Sequence, residues 1–144
     1  MDKATPILVV SSEFRNYNAL RDILGREGRK AIYASTVGEC EEVFAKQDID
    51  IVFCERRLTD GTYRDILAMT RSWRPRVRLI VTSRLADWDE YLEAVHSGAY
   101  DLIASPIQTA DIARVLNEAC SEEQMTGAPL AASEVRATSG GVRT

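Results

Sequence analysis

Apolar residues in this chain fall into short unbroken runs separated by longer stretches with helical spacing. Pro6-Ile7-Leu8-Val9-Val10, Ile49 to Cys54, Val77 to Thr82 and Tyr100 to Ala104 have strand length and are apolar almost throughout. Lys30 to Ser35 alternates polar and apolar residues, which predicts a half-exposed edge strand. Between these runs the period changes. Tyr17, Leu20, Ile23 and Leu24 line one side of a helix over Phe14 to Gly28. Val37, Cys40, Val43 and Phe44 follow a capping box at Thr36-Val37-Gly38-Glu39. Tyr63, Ile66, Leu67 and Thr70 mark a helix from Thr62 to Trp73 that Pro75 breaks. Asp87-Trp88-Asp89-Glu90 opens a capped helix carrying Tyr91, Leu92 and Val95 and stopped by Gly98. Thr109 is expected to cap the last helix, with Ile112, Val115, Leu116 and Ala119 at i, i+3, i+4, i+7.

Strands buried on both faces and alternating with helices predict an α/β fold. The expected solution is a flavodoxin-like, doubly wound five-stranded parallel sheet with five helices, forming a single domain over residues 5–123. Residues 124–144 are rich in Gly, Ala, Ser and Thr without an apolar period, so a flexible C-terminal tail is expected. At 144 residues the chain suits one domain with a substantial core.

No window approaches the roughly 18 apolar residues of a membrane span, and the N-terminus lacks the features of a signal peptide. A cytoplasmic protein with no membrane partner is expected. The net charge of −4 argues against a nucleic-acid partner. Arg71, Arg74, Arg76 and Arg78 around Trp73 and Pro75 are the local exception, and a solvated helix end and loop accounts for them. Cys40, Cys54 and Cys120 show no metal or disulfide spacing, and Cys40 and Cys54 read as small buried hydrophobes. His96 has no assignable acidic or nucleophilic partner, and neither a G-x-G-x-x-G nor a Walker motif is present. No catalytic residues and no enzymatic activity are expected.

In a parallel α/β sheet the residues after each strand converge at one edge. Here they are Ser11 and Ser12, then Glu55, then Thr82 and Ser83, then Ser105. The segment Asp50-Ile51-Val52-Phe53-Cys54-Glu55-Arg56-Arg57-Leu58-Thr59-Asp60-Gly61 ends an apolar run on one carboxylate. It resembles the phosphoacceptor segment of bacterial response-regulator receiver domains, with Glu55 where the family has Asp. Ile7-Leu8-Val9-Val10-Ser11-Ser12-Glu13 resembles the opening strand, with Ser11 and Ser12 in the places of an acidic pair. Leu79-Ile80-Val81-Thr82-Ser83 resembles the strand presenting a switch hydroxyl, here Thr82. Gly98 to Pro106 resembles the segment ending in Lys-Pro, with Ser105 at the Lys and a cis Ser105–Pro106 peptide implied.

The departures carry a chemical prediction. The family gathers three carboxylates around Mg²⁺ and uses a Lys to neutralise the phosphoryl group. Two serines do not supply the anionic oxygens that make Mg²⁺ shed water, and Ser105 brings no charge. The extra methylene of Glu55 displaces its carboxylate by on the order of 1 Å, enough to cost about 100-fold in rate. Mg²⁺ binding is expected to be weak or absent, no other cofactor is expected, and ordinary autophosphorylation is not.

Two roles for Glu55 stay open from sequence: imitation of the phosphorylated state by reaching toward Thr82, or pairing with Arg56, Arg57 or Arg84. The family's aromatic switch position falls on Leu102. Tyr100, expected on the same strand face, is a candidate substitute.

The resemblance implies a receiver-like signalling domain of a two-component or phosphorelay system that acts by phosphorylation-independent protein–protein contact. The implied partner is a histidine kinase or another signalling protein. Its surface would be the fourth helix, fifth strand and fifth helix, with Trp88 and Tyr91 as anchors and homodimerisation through that face as a further expectation. The alternatives are a conventional phosphorelay regulator accepting phosphate at Glu55 or a serine, and a flavodoxin-like module that binds a small ligand.

Overall fold

The computed structural model describes residues 5–73 and 76–124. Pro75, Arg74 and the expected tail beyond Gln124 lie outside them.

The described chain builds β1 (Ile7–Val10), α1 (Phe14–Arg26), β2 (Ala31–Ala34), α2 (Val37–Lys46), β3 (Ile51–Glu55), a hairpin of β4 (Arg57–Leu58) and β5 (Gly61–Thr62), α3 (Tyr63–Trp73), β6 (Arg78–Ser83), α4 (Trp88–Ser97), β7 (Asp101–Ala104) and α5 (Thr109–Gln124). Five strands form one parallel sheet in the order β2-β1-β3-β6-β7. This is the doubly wound, flavodoxin-like sheet that the pattern predicts.

Period-two alternation sends consecutive strand residues to opposite faces. Leu8, Val10, Val52, Cys54, Leu79, Val81 and Leu102 meet Cys40 and Phe44 of α2, Tyr63, Ile66 and Leu67 of α3, and Ala94 of α4. Ile7, Val9, Ile51, Phe53, Ile80 and Ile103 meet Tyr17, Leu20 and Leu24 of α1 and Ile112, Val115 and Leu116 of α5. Each fully buried aliphatic or Phe side chain contributes about 1.5–3 kcal/mol. Two such cores explain why the three central strands are apolar through nearly all of their length, while edge strand β2 is only half-buried.

Local signals hold at most helix ends. Thr36 Oγ1 accepts the Glu39 N–H (3.0 Å) and Asp87 Oδ1 accepts the Glu90 N–H (2.9 Å), capping α2 and α4. Gly98 closes α4 at φ +113, where a Cβ would also lie 2.8 Å from Arg71 Nη2. Thr109 departs from expectation. It is the first residue of α5, and the cap works in reverse: Asp111 Oδ2 accepts the N–H of Gln108 (3.2 Å).

The β4–β5 hairpin was not foreseen. Its two-residue strands lack the apolar alternation that marks a strand in sequence. Asp60 in its turn accepts the N–H groups of Val37 (2.8 Å) and Gly38 (3.2 Å), adding a long-range cap to α2. These backbone bonds, that from Val37 foremost, hold the Asp60 carboxyl below its usual range.

Candidate functional site

Strand geometry assembles the site. Residues 51, 53 and 55 alternate onto one face of β3, so the parity that buries Ile51 and Phe53 against α1 and α5 carries Glu55 toward α1 at the sheet's carboxyl edge. Thr82 is the Cα partner of Glu55 on β6, and Ser83 pairs with Ala104 on β7. Ser105 follows, donating its N–H to Ser83 O (2.9 Å) and preceding a cis peptide to Pro106. Ser11, Glu55, Thr82 and Ser105 line a common hollow with Asn16 and Pro106. The positions singled out from sequence do converge.

The partners of Glu55 match neither expectation. Its Oε2 accepts the hydroxyl of Ser11 (2.5 Å) and the Asn16 side-chain amide (2.8 Å). Its Oε1 accepts the N–H (3.0 Å) and hydroxyl (3.1 Å) of Ser12. The carboxylate thus turns toward the β1–α1 loop, and no hydrogen bond joins it to Thr82. Among the described residues no arginine pairs with it either. Arg56 goes to Glu90 (3.1 Å) and Glu93 (3.9 Å) instead. Asn16 escaped the sequence reading. The available signal was a polar amide one turn into α1, on the side that faces the sheet.

Four donors on one carboxylate give the site its electrostatics. Partial burial alone would raise the Glu55 pKa. The bonds from Ser11, Ser12 and Asn16 outweigh it and leave the group below its ordinary value. A lowered carboxylate pKa adds stability at pH values above the unfolded-state pKa, about 4.3, and that stability fades as pH falls through the folded-state value. Glu55→Gln is therefore expected to flatten the acid limb of the stability–pH curve below about pH 4.3. Urea denaturation across that range checks this, and an unchanged limb would contradict it.

The same geometry tests the fit of a metal. Receivers imply Mg²⁺ at this edge, but the side chains here do not fit it. Ser11 and Ser12 are neutral, and both oxygens of the single carboxylate already accept two hydrogen bonds each. Glu13, the nearest additional acid in sequence, is the exposed N-cap residue of α1. Among the described residues no group of three His, Cys, Asp or Glu has metal-binding geometry.

A second network braces the β6–α4 loop. Glu90 is 8% exposed. It accepts the Ser83 hydroxyl and the Ala86 N–H (3.1 Å) and pairs with Arg56. Ala86 is the one non-glycine residue with positive φ (45°) among those described. Glu90 entered the sequence reading only as part of a helix cap, because a carboxylate in a first helical turn normally signals no more than that.

Trp88 is half-exposed and stacks on Tyr91, with ring centroids 5.3 Å apart. Both line a groove of about 400 Å³ with Leu102 and Arg114. Tyr100 is elsewhere. It packs with the α1–α5 core, under Arg78 at 5.8 Å, whereas Leu102 belongs to the opposite core. The expected shared face fails because Tyr100 precedes β7, which begins at Asp101, so strict alternation does not reach it. Cys40 and Cys54 are buried as expected, and burial pushes the Cys40 thiol up to about 12 and that of Cys54 well above its usual value.

No family model matches the chain. It is 28% identical over 105 residues to the alginate biosynthesis transcriptional regulatory protein AlgB of Pseudomonas aeruginosa, covering 73% of this chain and 23% of that protein. It is 29% identical over 106 residues to the hydrogenase transcriptional regulatory protein HoxA of Cupriavidus necator, covering 73% and 22%. The chain thus spans about a quarter of the length of these two relatives. A CheY-like response regulator receiver domain from Methanospirillum hungatei superposes with a TM-score of 0.76 at 21% identity, over 86% of this chain and 99% of that one. The beryllofluoride-activated NtrC4 receiver domain dimer gives 0.74 at 22% identity, over 81% and 97%. The fold is that of a response-regulator receiver domain. Among the described residues no helix is long and apolar enough to cross a membrane.

Proposed function

We propose that this chain is a receiver-like signalling domain whose output does not depend on phosphorylation and which works by protein–protein contact, without enzymatic activity. One observation carries the reading: both carboxylate oxygens at the phosphoacceptor position are occupied by Ser11, Ser12 and Asn16. In a receiver that edge holds a cation and a reactive aspartate. Here neutral donors take the cation's place, and they stabilise one negative charge without leaving room in its coordination for a metal or a phosphoryl group.

Mimicry of phosphorylation is not favoured. One carboxylate has less charge than the roughly −1.5 to −2 of a phosphate, and Glu55 faces α1 rather than Thr82. The relatives are transcriptional regulatory proteins by name, and we extend that to this chain as participation in regulation through a protein partner, a histidine kinase or another signalling protein. The groove of Trp88, Tyr91 and Leu102 on the α4–β7–α5 face is the proposed contact.

The test is direct. With Mg²⁺ and beryllofluoride, or with acetyl phosphate, the amide NMR spectrum and intact mass of the native protein are expected to stay unchanged. A saturable response to beryllofluoride or an added phosphate would replace this reading with the conventional phosphorelay one.

A further inference from the structure

Beside the β4–β5 hairpin lies a groove of about 380 Å³, closed by the start of α3 and by Glu93 of α4. None of Ser11, Ser12, Glu55, Thr82 and Ser105 lines it, so it is a different surface from the hollow at the carboxyl edge. Three arginines line it, Arg56, Arg57 and Arg64, against one carboxylate, that of Glu93. Two of the three are held in place. Arg56 pairs with the buried Glu90 (3.1 Å). Arg64 donates from Nη2 to Glu93 and from Nε to Ser97 Oγ (3.3 Å), and its guanidinium lies 5.7 Å from the centre of the Tyr63 ring. Arg71, seven residues further along α3 and so on the same helical side, donates to Ser97 O at the end of α4. Among the described residues the only carboxylates bound to these four arginines are Glu90 and Glu93, and the exposed Arg57 meets neither. A chain of net charge −4 thus carries a local excess of guanidinium.

We propose that this groove docks a short acidic segment of a protein partner, whose carboxylates pair with Arg57 and share Arg64 with Glu93. A guanidinium has five N–H donors in a fork that fits a carboxylate, and Arg64 uses only its Nε and Nη2 groups within the described residues. Arginines already fixed by Glu90, Glu93 and Ser97 lose little further side-chain freedom on binding. Half-buried Leu58 adds apolar surface at the base of the arginines. Arginine clusters of this kind recognise acidic motifs. A nucleic acid fits less well. Exposed Asp60 and Asp65 flank the groove, next to Gly61 and bonded to the Thr62 N–H, and Glu93 closes it. A long, evenly charged polyphosphate backbone would meet these carboxylates, whereas a short acidic segment stays between them. The site adds a second contact to the Trp88–Tyr91 groove. It rests on the reading that the chain works by protein–protein contact, and it does not depend on the state of Glu55.

The experiment is a titration of the full chain into a fluorescein-labelled oligoglutamate peptide, read by anisotropy, with oligolysine and oligothymidylate of similar length as comparisons. Amide NMR of the same mixtures locates the contact. Saturable binding is expected for oligoglutamate alone, weakening as sodium chloride is raised, with shifts at Arg57, Leu58, Thr62 and Arg64. Arg57→Glu, at an exposed position, should weaken binding about tenfold while the rest of the spectrum stays native. Glu93→Gln keeps an acceptor for Arg64 but removes the competing charge, so it should tighten binding about threefold. Absent binding, equal binding of oligothymidylate, shifts confined to Trp88, Tyr91 and Leu102, or an Arg57→Glu variant that binds as tightly as the native chain would each overturn the acidic-segment groove. Each leaves the proposed function standing, because that is decided separately by beryllofluoride and acetyl phosphate.

Discussion

The variant carrying Ser11→Asp, Ser12→Asp, Glu55→Asp and Ser105→Lys is expected to accept phosphate from acetyl phosphate in the presence of Mg²⁺, at least about 100-fold faster than the native chain. The backbone already places these four positions at one edge, with Glu55 and Thr82 paired in register and Ser105 hydrogen-bonded to Ser83. On the proposed reading only side-chain chemistry separates this edge from a phosphorylatable one. Three aspartates restore anionic oxygens for a hard cation, the lysine restores a charge for the phosphoryl oxygens, and the shorter side chain at 55 withdraws from Asn16. Without metal the three carboxylates repel one another, so the variant should unfold at a lower temperature than the native protein and recover on adding Mg²⁺. The native protein should show no such Mg²⁺ effect. Thermal denaturation with and without Mg²⁺ and mass spectrometry after acetyl phosphate measure both parts. Equal phosphorylation of native chain and variant would refute the degenerate-site reading. A variant that gains neither metal nor phosphate would show that the edge itself is misassembled.

The second large effect is at Glu90. Glu90→Ala is expected to cost about 2–3 kcal/mol of stability, because truncating one member of a largely buried charged network strands its partners. The partners come from three places: Arg56 after β3, Ser83 at the end of β6, and the Ala86 N–H in the loop. The loop has a particular need for this support, since Ala86 holds a positive φ that an L residue adopts only at a cost. Urea denaturation should show the loss, and amide exchange should accelerate most at Leu85 and Ala86. Glu90→Gln keeps the shape and one acceptor oxygen, so it should lose less. If Glu90→Ala is within about 0.5 kcal/mol of native, the range of an ordinary surface substitution, the network has no structural role.

The fold was legible because it is written twice, in local and in periodic signals. Apolar runs of strand length at Ile7–Val10 and Ile51–Cys54, and i, i+3, i+4 stripes such as Tyr17, Leu20 and Leu24, have one reasonable way to bury themselves. Asp87 and Gly98 mark their helix ends with their own chemistry. Errors occur where that logic lapses. The β4–β5 hairpin is too short to have a period, Tyr100 lies just outside its strand, and Thr109 loses the cap position to Asp111.

The site divides along the same line. Sequence alone determined that Ser11, Ser12, Glu55, Thr82 and Ser105 belong to one edge, because parallel strands deliver their C-terminal residues together, and that this edge has one carboxylate where the family resemblance implies three. What Glu55 binds was decided only by the tertiary structure. A flexible side chain among several donors chooses by distances of a few tenths of an ångström, and these depend on how α1 packs on the sheet. That packing brought in Asn16, turned the carboxylate away from Thr82 and committed Arg56 to Glu90. Periodicity determines which face a residue occupies. The choice of partner on that face belongs to the packed molecule, because hydrogen bonds discriminate over lengths that a sequence pattern does not encode.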